Sequence, residues 1–410
     1  MLQAALRQPL FSTRSAATTT VGSSGLTSIL QSIGLGSSSS VPVNNNTALT
    51  LSAFYSGINI ICSDFAKLPK GVFKKVSEGR EAVSDHSVNY MINKRPNQYM
   101  TAFQFDSIML QSAILKGNAI AIIERDTNGK ILALQYVDQD KNPCEAKISQ
   151  NKLWYKIQGY RDMFRSENIL HIPGFTTNGI WGEGVITYAA QTLGVSLSSQ
   201  KFAGEYYNGK AIGTGFISTD KDMEDPAKKR YSDGFTGMLS KQQSYKVPVL
   251  DNGMKFTGIK ITAQESEFLL ASEHGINEIA RILNVSPVKL HHYKDLNNAI
   301  SESLQIQHVS DSILPWVLKF EQEYASKLFS QADKNAGYDI SADVSSLLRA
   351  DMKAQAEYYS KLVFAGVMTR NEVRAKLELN SIKGLSEPLT PVNAQTMEQI
   401  DAKVAELKKD

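Results

Sequence analysis

An α+β fold follows from three features of the sequence. Apolar residues recur every three or four positions at Leu51, Phe54, Ile58, Ile61, Phe65 and Leu68, and again at Leu269, Ile276, Ile279, Ala280 and Leu283. That is the one-faced pattern of packed helices. Asn128-Gly129 stands between two β-rich runs, a hairpin signal in which both turn residues are expected at positive φ. Residues 211 to 262 then read strand, helix, strand, so a small α/β insert hangs between two helices.

Residues 1–49 are a flexible Ser/Thr/Gly-rich segment, with Arg7 and Arg14 as their only charges and no acidic residue before Asp64. Such a stretch cannot bury enough apolar surface to order itself. Its composition is also that of an organellar transit peptide. Within it, Leu26, Ile29, Leu30 and Ile33 form a one-sided apolar turn ended by Gly34.

The first helix runs over Leu51–Leu68 and stops at Pro69, because the residue before a proline avoids the helical region. "GVFKKV" is a strand, and a turn at Gly79 leads to a short helical piece before Pro96. In "NKRPNQYMTAFQF", Thr101 and Gln104 have capping-box spacing while Met100 and Phe105 hold the staple positions across it. The helix they open is expected to reach Lys116, with Gly117 as its left-handed stop. The hairpin at Asn128-Gly129 follows, then the strands "KLWYKI" and "NILHIPGF", so 50–183 is one mixed unit.

From Gly184 to about Asn208 the pattern is helical, with Ile186, Ala190, Leu193 and Leu197 on one side. The insert contains "GTGFIST", "DPAKKRYSDGFTGML", "YKVPVL" and "MKFTGIKI", after which Thr262 and Glu265 have capping-box spacing. "NVSPVKLHHYKDLNNA" breaks the helical pattern with Pro287 and three Asn. A long helix from about Ala299 to Leu328 spans roughly 45 Å. Pro315 is expected to kink it, since proline lacks an N–H and clashes with the carbonyl four residues back. The strand "YDISAD", a helix over 350–365, a stop at Gly366 and a capping box at Thr369 and Glu372 complete the series. A proline-punctuated tail follows Ser381.

Composition narrows the chemistry. Lys and Arg number 44 against 41 Asp and Glu, so the chain has no overall field with which to grip nucleic acid or an acidic membrane. No apolar run approaches the roughly 20 residues of a membrane span. Cys62 and Cys144 lack Cys-x-x-Cys spacing, which fits a reducing interior, and Cys62 reads as buried and inert.

No phosphate loop, nucleophile elbow, zinc-protease or EF-hand pattern occurs, so neither a cofactor nor a metal is expected. "NGKAIGTGF" reads as turn geometry. Adjacent His291 and His292 would diverge by about 100° on a helix, so a shared metal would need irregular backbone and a further ligand such as Asp295. His171 and His274 read as structural or surface histidines. Glu302, Asp311, Glu321 and Glu323 wrap around their helix as a solvated face.

The segments "DHSVNYMINKRPNQYMTAFQF", "KGNAIAIIERDTNGKILALQYVD", "NILHIPGF", "EIARILNVSPVKL" and "GVMTRNEVRAKLEL" resemble, in order and spacing, the portal proteins of tailed bacteriophages of the Hong Kong 97 type. The resemblance runs from about residue 50 to 395. It implies a portal fold with a mixed α/β wing (50–183), a two-helix stem (184–209 and 264–283) and a small α/β clip (210–263). A tunnel loop (284–298), a long kinked wing helix with its strand (299–346), C-terminal crown helices (347–380) and a tail (381–410) complete it.

The implied function is non-enzymatic. A homo-oligomeric ring, of twelve subunits by the resemblance, would sit at one capsid vertex of the virion after assembly in the host cytoplasm. It would conduct double-stranded DNA during packaging and ejection. Its partners would be the DNA, without sequence specificity, the terminase, the major capsid protein and the head-tail connector, with no membrane. In the tunnel loop Lys289, His291, His292 and Lys294 are candidates for weak phosphate contact, and Asn297 and Asn298 for hydrogen bonds. Two other readings stand beside this one: an organelle-targeted soluble enzyme, and a monomeric protein-binding adaptor.

Overall fold

In the computed structural model, which describes residues 19–21, 42–77, 79–207, 215–218, 224–240, 255–258, 265–291, 298–350, 352–377 and 379–389, the chain forms two units, Met1–Ala342 and Asp343–Asp410. The larger begins with β1 (Thr19–Val21), the short helix α1 (Asn45–Ala48) and α2 (Ser52–Ala66). β2 (Lys70–Val76), β3 (Gly79–Ala82), α3 (Ser87–Asn93) and α4 (Ala102–Lys116) come next. A strand-rich stretch holds β4 (Asn118–Arg125), β5 (Ile131–Tyr136), β6 (Cys144–Ser149), β7 (Lys152–Ile157), β8 (Phe164–Arg165), β9 (Ile169–Pro173), β10 (Phe175–Thr176) and β11 (Gly182–Glu183). Then follow α5 (Val185–Tyr207), β12 (Gly215–Ser218), α6 (Asp225–Ser240), β13 (Lys255–Gly258), α7 (Glu265–Leu283) and α8 (Asn298–Gln307). A π-helical turn, His308–Ile313, leads into α9 (Leu314–Leu328), α10 (Gln331–Asn335) and β14 (Tyr338–Ala342).

Among the described residues every sheet pairing is antiparallel: β1-β6-β7-β8, β14-β2-β3, β5-β4-β9, β10-β11 and β12-β13. β4 is the middle strand of its sheet and is buried from Asn118 to Ile123. α2 packs on α4 and α7 through the expected face, with Phe54, Ile58, Ile61 and Phe65 at 3% exposure or less. α9 lies on β14 and β9.

"NKRPNQYMTAFQF" is a structural joint. Thr101 Oγ1 accepts from the Gln104 N–H and Gln104 Oε1 accepts from the Thr101 N–H, closing the expected capping box. Gly117 ends α4 at φ +81. The residue that fastens this joint to the sheet is Asn97, which the sequence reading did not single out. Its buried Oδ1 accepts from the N–H groups of Tyr99 and Met100, and its Nδ2 donates to the Leu134 carbonyl.

Several expectations are corrected. At the β4–β5 hairpin only Gly129 has positive φ. Asp126 organises that turn by accepting from the N–H groups of Asn128 and Lys130, and the register shifts between Glu124 and Arg125. The pair of positive φ values occurs instead at Gln150 and Asn151, the two-residue link between β6 and β7. That geometry matches the right-handed strand twist whichever residues supply it.

The piece after Gly79 also differs, because β3 pairs with β2 before α3 begins. Residues 1–49 are likewise not wholly without structure. β1 adds to the edge of β6, and Asn44 and Thr47 close a capping box on α1. Strand addition satisfies backbone groups and does not depend on apolar side chains. The apolar turn at 26–33, the strand "YKVPVL" and the Thr262 half of the second capping box lie outside the described residues.

Pro315 does not bend one continuous α-helix. The chain widens into the π-helical turn His308–Ile313 and resumes as α9 with the proline in its first turn. A proline is tolerated in a first turn, where the N–H has no intrahelical partner.

Two buried polar networks join distant segments. Tyr155 Oη lies 2.9 Å from His171 Nδ1, and His171 Nε2 lies 2.9 Å from Asn118 Oδ1, which also accepts from the Gly182 N–H. Burial, with Lys327 adding to it, pushes the imidazole down to about 3, so His171 is neutral. The tautomer that satisfies both contacts has Nε2 donating and Nδ1 accepting. In the second network Asp106, 2% exposed, takes Lys70 Nζ at 2.5 Å and the Tyr324 hydroxyl at 2.9 Å. It ties β2, α4 and α9 together.

Glu321 and Glu323 are not a solvated face. Glu323 Oε1 accepts from the His171 N–H at 3.1 Å, and Glu321 Oε1 accepts from the Ala342 N–H at 2.6 Å. Burial raises both carboxyls. A helix packed across sheets presents its acids to strand N–H groups, which sequence spacing alone does not reveal.

In the smaller unit a 3-10 stretch, Val344–Ala350, precedes α11 (Met352–Phe364) and α12 (Arg370–Lys376). Gly366 has φ +70, and Thr369 with Glu372 forms the expected capping box. Asn371 pins the following turn through the Ile382 backbone and Ser386.

Candidate functional site

The segment leaving α7 is shaped by local chemistry. Asn284 takes φ +54, a left-handed conformation that asparagine tolerates better than most residues, and turns the chain out of the helix. Pro287 opens a short 3-10 turn, Pro287–Leu290, closed by His291 at φ +60. Lys289 and His291 donate their N–H groups to the carbonyls of Ser286 and Val288.

This turn is fastened to the π-helical segment. Asn284 Nδ2 donates to the Asp311 carbonyl at 2.8 Å, and Ser312 Oγ donates to the Asn284 carbonyl. Asp311 is the residue four before Pro315, whose carbonyl an ordinary residue at 315 would serve.

Beneath the turn sits Asp64, in the last turn of α2 and 8% exposed. Its Oδ2 takes Lys289 Nζ at 3.2 Å and His308 Nε2 at 3.1 Å, while Oδ1 takes Lys67 Nζ at 3.0 Å. Burial by itself would raise this carboxyl. The hydrogen bonds from His308, Lys67 and Lys289 and the Lys289 charge outweigh it and hold Asp64 well below the usual carboxylate range. His308 is fully enclosed, and its Nδ1 has no hydrogen-bond partner among the described residues.

Of the six candidate tunnel-loop residues, Lys289 and His291 lie in the turn and Asn298 begins α8. His292, Lys294 and Asn297 lie outside the described residues. Lys289 is 23% exposed at its side chain and committed to Asp64. The sequence reading missed Asp64 as a site residue. The signal was an acid three positions after Ile61 and one before Phe65, on the face otherwise given to the core.

The other candidates fall where chemistry is quiet. Cys62 is buried, and burial pushes its thiol up to about 12. His274 is an exposed side chain 4.0 Å from Glu278. Among the described residues no cluster of His, Cys, Asp or Glu is arranged to hold a metal, and no helix is long and apolar enough to cross a membrane.

A second feature concerns α5. Ala189, Leu193 and Leu197 are buried against the body and α7, whereas Tyr188, Val195 and Phe202, spaced by seven, are 49%, 59% and 39% exposed. Tyr188 meets Phe175, itself 64% exposed, edge-on at 5.3 Å. This pair helps to line a hollow of about 520 Å³, whose walls also include Ile61, Ile114, Ile282, Trp316 and Glu183. Burial raises the Glu183 carboxyl.

Comparison with known proteins places this architecture. The portal protein of Enterobacteria phage HK97 is 24% identical over 343 residues, which cover 81% of this chain and 79% of that protein. The crystal structure of an HK97-family phage portal protein from Corynebacterium diphtheriae superposes with a TM-score of 0.56 at 16% identity, covering 74% of this chain and 96% of that one. A chain in the neck of a native gene transfer agent particle, computed with C12 symmetry, gives a TM-score of 0.52 at 16% identity, covering 85% and 98%. The sequence model of the family described as Phage portal protein matches residues 52–378, so the chain belongs to the phage portal protein family.

Proposed function

We propose that this chain is a ring-forming portal subunit: a non-enzymatic conduit for double-stranded DNA at one capsid vertex, and the docking site for the packaging terminase and the head-tail connector. The observation that carries the reading is the family match across residues 52–378, supported by the shared fold with a chain from a particle neck of C12 symmetry. In this reading 50–183 is the wing, α5 and α7 are the stem, and 210–263 is the clip. The segment 284–298 is the tunnel loop and 347–380 is the crown.

The exposed stripe on α5, Tyr188, Val195 and Phe202 at a spacing of seven, supports ring formation. A helix with one apolar face against its own subunit and a second on its outer side is suited to a neighbour repeated by rotation. The Phe175–Tyr188 pair and the adjoining hollow offer the neighbour an aromatic anchor. A near-balanced total charge fits a channel in which duplex must slide, because each neutralised phosphate adds affinity through counterion release.

Light scattering and negative-stain electron microscopy of the full chain test the reading. Rings near twelve subunits are expected, and Val195→Glu is expected to shift them toward smaller species. A particle that stays monomeric at every concentration and salt would overturn the proposal in favour of an adaptor.

A further inference from the structure

Lys289 stands on the short 3-10 turn that packs on α2 and α7 and is fastened to the π-helical segment. The turn is rigid, with a proline at its start and a left-handed residue at its end, and it carries the lysine at its third position. Yet the ammonium reaches back 3.2 Å to a carboxylate on a helix 225 residues earlier in the chain. That carboxylate is itself held by His308, so it cannot swing out to solvent with the lysine. Lys67, the other ammonium on Asp64, has a 57% exposed side chain and an (i, i+3) partner, the kind of pair water dissolves readily. Lys289 is the more enclosed of the two.

Asp64 is a close anion to the Lys289 ammonium, and while the two are paired the positive charge that Lys289 offers a phosphate is largely offset. We propose that Asp64 is the intramolecular counter-ion of Lys289, taking the place a DNA phosphate would occupy and keeping this lysine from gripping the duplex. The inference rests on the reading of 284–298 as the DNA-facing loop. A ring repeats the lysine once per subunit, so neutralising it in every subunit removes a circle of phosphate contacts that would otherwise brake sliding DNA. Asp64 is thus a positioning residue and touches no DNA.

The test uses assembled full-length protein and a fluorescein-labelled duplex of mixed sequence, with affinity read by anisotropy from 50 to 200 mM salt. Asp64→Asn is expected to bind more tightly, and its salt slope is expected to steepen by about 0.9 for each lysine freed per bound duplex. For one lysine, the affinity ratio of D64N to wild type then grows about 3.5-fold between 200 and 50 mM salt. Lys289→Gln in the D64N background should abolish the gain. Equal slopes for wild type and D64N, with both binding duplex, would overturn the counter-ion role alone. Absence of duplex binding by every variant, even at 50 mM salt, would overturn the DNA-facing reading and the inference with it.

A second measurement needs no variant. In wild-type protein, amine-acetylation footprinting by mass spectrometry should show Lys289 labelling unchanged on adding duplex. Protection of Lys289 by the duplex would mean that phosphate displaces Asp64, and the proposal would fail.

Discussion

Asn284 gives its side-chain amide to the Asp311 carbonyl at 2.8 Å, and Asp311 is the residue whose α-helical donor Pro315 cannot supply. The turn after α7 and the break in the long helix are therefore one joint. The expected consequence is coupling. Asn284→Ala should cost about 1 kcal/mol in denaturant unfolding, and clearly less in a Pro315→Ala background, where residue 315 regains its N–H. Costs that simply add in the double variant would show that the amide and the proline act independently.

Asp64 gives the protein an acid-side dependence with a definite sign. Its folded carboxyl lies below the unfolded value of about 3.9, so the stabilisation is fully present above that value. It is lost as the pH falls toward the folded value. The stability advantage of wild type over Asp64→Asn should be constant from pH 7 to about 5 and shrink steadily below. Chemical denaturation at a series of pH values reads this directly.

Glu323 acts as an acceptor for a strand N–H. Glu323→Ala leaves the His171 N–H without its partner and is expected to cost about 1–3 kcal/mol, whereas Glu323→Gln, which keeps an oxygen in reach, should cost less. Thermal melts of the two variants side by side distinguish the acceptor role from a purely ionic one.

Gly182 lies against the Gly117 carbonyl, and an added Cβ would run into that backbone oxygen. Because backbone cannot yield as a flexible side chain does, Gly182→Ala should destabilise by about 3 kcal/mol. Circular dichroism melts check it. At Gly129, where nothing lies within 4 Å, the cost of alanine should come from the positive φ alone and stay near 1 kcal/mol.

Thr101→Ala should cost about 1 kcal/mol, the usual penalty for losing an N-cap, and Thr101→Ser should recover most of it. A Thr101→Ala protein as stable as wild type would show that Asn97 alone holds the joint.

What could be read in advance was local. Thr101 with Gln104, Thr369 with Glu372, and the left-handed stops at Gly117 and Gly366 are all found where spacing placed them. Their hydrogen bonds close within a few residues, so neighbours in sequence suffice to define them. The buried face of α2, and Ile279, Ala280 and Leu283 on α7, were legible for the same reason, since helical geometry converts spacing into direction. The hairpin at Asn128-Gly129 was found but its turn was not, because Asp126 offers its side chain to two N–H groups and spares Asn128 a positive φ. Gln150-Asn151 carried no comparable signal, since strand register rather than residue preference imposes its conformation.

The sequence by itself determined the helix starts at Thr101 and Thr369, the buried face of α2 and the order of segments that marks the family. Only the tertiary structure decided which charges meet. Lys289 looked free for a phosphate until the fold carried Asp64 across 225 residues to within 3.2 Å. Glu321 and Glu323 looked solvated until strand edges were laid beside them. Charge pairing depends on distance in space and on burial, and neither is written in the spacing of residues along one chain.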